Sequence, residues 1–271
     1  MIKPLISVII PCFNQAQYLQ DTIDSVLAST YLNFEIIVIN DGSTKTAEFL
    51  KSFSAPKTRV FHQENLGPSL ARNSGIEKAV GKYILPLDAD DKIYPEYIEK
   101  AVNILENDMK IGIVYCQAEF FGSKVTKWDM PPYKFPNCLW DNVIFNSAIF
   151  RKSDWQKVGG YKKEMSMGFE DWEFWISLIE TGSEVYQIPE ILFSYRQTVN
   201  SRNTKLISNK NITIMIKQII KLHPNLYADN IEHVLLPLYK NLKYFSSRHS
   251  RIARFKYKIL RIICDFLIKF Y

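Results

Sequence analysis

"KYILPLDADD", Lys82 to Asp91, joins an apolar run to three carboxylates, Asp88, Asp90 and Asp91, within four positions. The apolar part reads as a buried strand. The charges at its end repel one another, and each resists leaving water. Such a cluster makes physical sense where something positive sits among the carboxylates.

Upstream, "ISVIIPCF" (Ile6–Phe13), "FEIIVIN" (Phe34–Asn40) and "TRVFHQ" (Thr58–Gln63) are further β-rich apolar runs. Between them, "YLQDTIDSVLAST" (Tyr18–Thr30) sets Leu19, Ile23, Val26 and Leu27 at helical spacing. "SLARNSGIEKAV" (Ser69–Val80) reads as a helix stopped by Gly81. Near-continuously apolar strands alternating with helices predict a parallel sheet covered on both faces. In open parallel sheets, ligands bind beyond the carboxyl ends of the strands. Three polar clusters occupy such ends: "PCFN", "NDGS" and "DADD". Loops converging there can enclose one ligand.

Downstream the pattern loosens. Tyr94–Met109 reads as a helix with Pro95 in its first turn, and Ile111–Gly122 as strand material. Lys124–Trp140 holds Pro131, Pro132 and Pro136 and reads as a loop. Asn146–Tyr161 suggests a strand, a short helix and a glycine turn. Glu170–Gly182 is a helix with Trp172, Trp175, Ile176 and Ile179 on its apolar side, so both tryptophans are expected in the core. From about Lys205 the chain reads as two or three helices.

The chain has 271 residues, 47% hydrophobic and 23% charged, which suits one sizeable α/β domain with an appendage. Its four cysteines, Cys12, Cys116, Cys138 and Cys264, form no CxxC pair and have no histidine at zinc spacing. They are expected to be reduced, mostly buried thiols of a cytosolic protein. Pro11 interrupts the apolar start, so no secretory signal is read, and no stretch reaches the length of a membrane span. Between Arg248 and Tyr271, seven basic residues face the single acid Asp265, which equals the whole net charge of +6. The rest is neutral, so a nucleic-acid-binding body is not indicated. In the tail, Ile252, Phe255, Ile259, Ile262, Ile263 and Phe266 fall near one helical face flanked by lysines and arginines. Two readings stay open: a helix on an anionic membrane surface, and a helix packed on the catalytic domain. The concentration of the net charge in the tail favours the first.

Each motif has two readings. The D-x-D at a strand end suits a hard divalent cation shared with a diphosphate, or a solvated acidic turn capping the next helix. Asp41 in "NDGS" can accept hydrogen bonds from a base or ribose with Gly42 allowing close backbone approach, or can form an Asx turn. Glu170 and Asp171 in "GFED" suit a general base, or acids favoured at a helix N-terminus. Arg196 and Arg202 in "SYRQTVNSR" can neutralise phosphates or be ordinary surface charge, the latter favoured for Arg202.

In order, "SVIIPCFNQAQYLQDTIDSVLAST", "FEIIVINDGST", "ENLGPSLARNSGIEKAVGKYILPLDADD" and "GGYKKEMSMGFEDWEFWISL" closely resemble the family 2 inverting glycosyltransferases of GT-A fold. The resemblance runs from about Ile6 to Arg196. It implies a Rossmann-like, mainly parallel sheet flanked by helices; with the helical reading after Lys205, the expected division is a catalytic domain over residues 1–204 and a helical, basic extension over 205–271. It implies transfer of a sugar from a nucleoside diphosphate donor, most often UDP, to an acceptor hydroxyl. By position, Pro11, Phe13 and Asp41 would line the nucleoside pocket, and Arg72 would lie near the donor and support the acidic loop. Asp88 would contact ribose or donor sugar. Asp90 would bind Mn²⁺ or Mg²⁺ with Asp91 assisting or orienting. Asp171 would be the base with Glu170 beside it. Relatives often have two acids where this chain has Asn40-Asp41. They also often have a histidine two residues after "YR", which "YRQTVNSR" lacks, so Arg196 is the expected phosphate partner. With the tail, this implies a lipid-linked glycan or lipopolysaccharide-type acceptor at the inner face of the membrane. A catalytically silent sugar-nucleotide-binding protein is the competing reading, opposed by the intact acids. A nucleotidyltransferase needs a glycine-rich, arginine-containing loop after the first strand, and "PCFNQAQY" is not one.

Overall fold

A computed structural model describes residues 3–123, 125–197 and 209–233. The four apolar runs form β1 (Ile6–Cys12), β2 (Phe34–Asp41), β3 (Thr58–Gln63) and β4 (Tyr83–Pro86). They are parallel and lie in the order β3-β2-β1-β4. β1, β2 and β4 are buried along nearly their whole length, which is why they show no polar alternation. The helices α1 (Ala16–Leu27), α2 (Ala47–Ser52) and α3 (Pro68–Lys78) fill the crossovers. α3 packs against β1 and β2 at Gly75, where an added Cβ would stand 2.4 Å from Ile9 Cγ2. That close approach sinks the helix onto the sheet and buries Arg72 with it.

The other half of the sheet is mixed. β5 (Lys92–Ile93), β6 (Ile111–Gly122), β7 (Thr126–Trp128), β8 (Ile149–Arg151) and β9 (Glu184–Gln197) complete nine strands among the described residues. β8 runs antiparallel to β4 and β6, while β9 runs parallel to β6 and antiparallel to β5. β9 has no counterpart in the sequence reading. Pro189 lies within it, and a proline usually argues against a paired strand. Here Ile188 pairs with Cys116 and Ile191 with Gln117, so Pro189 and Glu190 bulge out of the ladder. The described part of the expected loop, 125–140, is mostly irregular apart from β7 and a 3₁₀ turn at Asn137–Leu139. Pro95 precedes α4 (Tyr97–Asn107) rather than lying in its first turn.

α5 (Lys152–Val158) ends at Gly159 in the left-handed region, and α6 (Glu170–Glu180) buries both tryptophans. α7 (Asn209–Leu222) and α8 (Pro224–Asp229) follow. The main core fills the sheet. A second cluster joins Cys138, Leu139, Met165, Trp172 and Ile176 to Ile212, Met215, Ile216, Ile219, Ile220 and Tyr227. The described part of the C-terminal extension therefore packs on α6. Cys12, Cys116 and Cys138 are free and buried. No helix of the described residues is long and apolar enough to cross a membrane. Residues 248–271, Cys264 and Arg202 lie outside the described residues, and the reading of the tail lies outside with them.

Candidate active site

The loops leaving β1 and β2 are knitted together. Asn14, held at φ 56°, accepts from Thr44 N and Lys45 N through Oδ1, and its own N–H donates to Ser43 Oγ. Pro11 is half-buried at the end of β1, and Phe13 stands 45% exposed at the rim. Asp41 is buried, and both its oxygens are engaged. Oδ1 accepts from Gln63 Nε2 at 2.7 Å and Leu66 N at 2.9 Å, and Oδ2 from Gly67 N at 2.9 Å. The close approach at Gly42 is made by the chain itself, since a Cβ there would meet Asn65 N at 2.6 Å. Asn40 is satisfied by Ser43 N and His62 Nδ1, so position 40 adds no charge beside Asp41 where a second acid would have done so.

The acidic loop follows β4. Burial, then the charge of Asp88, pushes Asp90 up to about 6. Asp91 is buried and raised well above the carboxylate range by burial, then by Asp90 and Asp88. Its Oδ1 accepts the Arg196 N–H at 2.8 Å, which ties the loop to β9. The Arg196 guanidinium lies 4.4 Å from the ring centres of both Tyr18 and Phe121. It donates to the Asp90 carbonyl at 2.8 Å and to Asp21 at 3.2 Å.

The head of α6 closes the arrangement. Gly168 (φ 121°) and Phe169 (φ 61°) both take positive φ, turning the chain abruptly into Glu170 and Asp171. For a bulky residue such as Phe169 this is an outlier of the kind that clusters at functional sites. Arg72, at 3% exposure, donates to Glu170 Oε1 at 2.9 Å and to Asp88 Oδ1 at 2.8 Å. Burial works against its charge, and Asp88 and Glu170 outweigh that, so it stays protonated. Asp171 is pushed up to about 6 by burial, then by Glu170, against the pull of Arg72. Its Oδ1 accepts from Trp172 N at 2.8 Å and its Oδ2 from Asn142 Nδ2 at 3.2 Å.

The structure thus joins Arg72, Asp88, Glu170 and Asp171, and ties Arg196 to Asp90 and Asp91. Asp41 stands apart, fastening the 63–67 turn. Three residues escaped the sequence reading. Asn142 and Asn146, the latter donating to Asp88 Oδ1 at 3.2 Å, sit beyond a proline-rich loop with no motif around them. Tyr195 feels the charges of Asp91, Asp88, Asp90 and Asp171 together, and burial and those charges raise its phenol. Its signal was present in "SYRQ", next to Arg196.

A family model described as glycosyl transferase family 2 matches residues 7–171. An uncharacterized glycosyltransferase of Rickettsia typhi is 31% identical over 98% of this chain and 90% of its own length. A putative teichuronic acid biosynthesis glycosyltransferase of Bacillus subtilis, TuaG, is 30% identical over 82% and 90%. Among solved structures, S. aureus TarS 1-349 in complex with UDP-GlcNAc superposes with a TM-score of 0.66 at 16% identity, over 79% of this chain and 66% of that one. The mannosyltransferase PcManGT of Pyrobaculum calidifontis, in complex with GDP-Man and Mn²⁺, gives 0.62 at 16% identity over 99% and 87%. These two share the mixed sheet flanked by helices, the GT-A architecture.

Proposed function

The chain belongs to glycosyl transferase family 2, and from that premise we propose that it moves a sugar from a UDP-sugar to an acceptor hydroxyl with inversion at the anomeric carbon. The observation that carries this reading is the Arg72 bridge, which holds Asp88 of the acidic loop and Glu170 at the head of α6 on one buried guanidinium. A donor sugar at Asp88 then has Asp171 on its acceptor side. The acceptor hydroxyl attacks the anomeric carbon as the bond to the diphosphate breaks, through an oxocarbenium-like state. Its proton passes to Asp171, whose raised proton affinity suits a base working near neutral pH. Glu170 accepts from Arg72 and orients the helix head. In this reading Pro11 and Phe13 border the nucleoside, Asp41 serves through the turn it fastens, and Arg196 is the phosphate partner.

Asp90 offers carboxylate oxygens, the donors that Mg²⁺ and Mn²⁺ prefer, while Asp91 is buried behind it with Oδ1 on the Arg196 N–H. Among the described residues no three His, Cys, Asp or Glu side chains form a ready metal cage. That fits a cation with few protein ligands, completed by water and phosphate oxygens. Asp90, oriented by Asp91, would hold it, and when bound it offsets the charge growing on the leaving diphosphate. The acceptor we favour is a lipid-linked glycan or a lipopolysaccharide or capsule precursor, in keeping with the name of TuaG. Residues 1–204 form the catalytic domain, and 205–271 an extension that brings the enzyme to the inner face of the membrane.

A thermal-shift panel of nucleotide sugars with and without Mn²⁺ identifies the donor and tests the cation. We expect a UDP-sugar to raise the melting temperature, with a larger shift in Mn²⁺. Asp171→Asn should keep that shift and lose turnover by roughly 10²–10⁴-fold. Equal donor hydrolysis by both proteins would remove Asp171 from the chemistry. No hydrolysis by either would favour a silent binding protein.

A further inference from the structure

We propose that Asn142 is a positioning residue for the base, its side-chain amide fixing the rotation of the Asp171 carboxylate toward the acceptor. The inference rests on Asp171 acting as proposed above. Two donors from different elements grip that carboxylate: the helix amide of Trp172 on Oδ1 at 2.8 Å, and Asn142 Nδ2 on Oδ2 at 3.2 Å. With only the Trp172 contact, the group would be free to swing about one oxygen. A second observation concerns Asn142 itself. Its Oδ1 is buried and has no hydrogen-bond partner among the described residues. An unpaired buried acceptor opposes stability, and an apolar side chain of similar shape would avoid it. Among the described residues, the hydrogen bond this side-chain amide makes is to Asp171.

The charged and titratable groups facing Asp171 are Glu170 on its own helix, Arg72 of α3, Tyr161 of the turn after α5, and Tyr195 of β9. Glu170 raises the proton affinity of Asp171, while Arg72 and the Asn142 amide lower it. Losing the amide disfavours the carboxylate form, so its midpoint must climb. Asn142→Asp adds a negative charge and must lift it further.

The test uses the full chain labelled with ¹³C at the aspartate carboxyls. The Asp171 signal is assigned by its loss in Asp171→Asn and titrated in wild type, Asn142→Ala and Asn142→Asp. We expect a wild-type midpoint of about 6, a higher one in Asn142→Ala, and the highest in Asn142→Asp. With UDP-GlcNAc or GDP-mannose, whichever turns over, kcat/KM of Asn142→Ala should fall at pH 8, where the base is ionised but no longer held in rotation, and fall roughly 3- to 10-fold further at pH 6. Asn142→Ser replaces Asn142→Ala if the latter does not fold. An Asp171 midpoint unchanged in both variants overturns the inference. Turnover surviving in Asp171→Asn would instead sink the base assignment, so the two failures are distinct.

Discussion

Arg72 keeps its charge at 3% exposure because two carboxylates accept from it. Breaking a buried pair from one side strands the other charge, which costs more than the pair contributes. Arg72→Met should therefore destabilise the protein by about 3–5 kcal/mol in urea unfolding, since it leaves Glu170 buried and alone. Adding Glu170→Gln to it should recover part of that loss. If the double variant were no more stable than the single, the bridge would not be what the fold depends on. Lysine is a poor substitute, because a point charge cannot present two donors in a fixed fork. The sequence marked Arg72 as a site residue through "ARN", and Asp88 and Glu170 through their own motifs. That one guanidinium holds both was not legible, because Glu170 lies 98 residues away along the chain. Asn142 was less legible still: no spacing rule connects it to an acid 29 residues on.

At the scale of elements, α6 carries the proposed base on one end and is gripped along its length by the C-terminal helices. Trp172 and Ile176 join the second core cluster with α7 and α8. His223, in the turn between α7 and α8, lies 2.7 Å from Glu180 and 3.2 Å from Glu173. Burial opposes its charge, but hydrogen bonds to Glu173 and then Glu180 prevail, so its proton affinity rises above the usual 6.5. A group whose folded value is raised contributes its stability below the unfolded value and loses it as pH climbs through the folded one. The melting temperature of wild type should thus exceed that of His223→Gln clearly at pH 5.5, with the gap narrowing by pH 8.5. A gap that widens with pH would mean that His223 acts through its neutral form. Of the elements, α6 was legible because its apolar residues recur at helical spacing. β9 was not, because Pro189 broke the pattern and only the bulge against β6 accommodates it.

At the scale of the molecule, the sheet changes character between β4 and β8. The parallel half presents its strand ends, and the mixed half lays β9 alongside to fasten the acidic loop through Arg196. One prediction belongs to the whole chain. If the basic tail brings the enzyme to an anionic surface, deleting 248–271 should abolish sedimentation with phosphatidylglycerol vesicles, and leave hydrolysis of a soluble donor in place. Undiminished vesicle binding would end that proposal. The amino-acid sequence by itself determined the order of strands and helices in the first half, the family, and the short motifs from which the site is drawn. These are local patterns, written within a few residues by periodicity and turn chemistry. Only the tertiary structure decided that Arg72 spans the two acidic motifs, that Asn142 reaches the Asp171 carboxylate, and that Asp41 spends both oxygens on its own loop. Those are pairings between segments far apart in the chain, set by how the sheet and helices pack, and no local spacing encodes them.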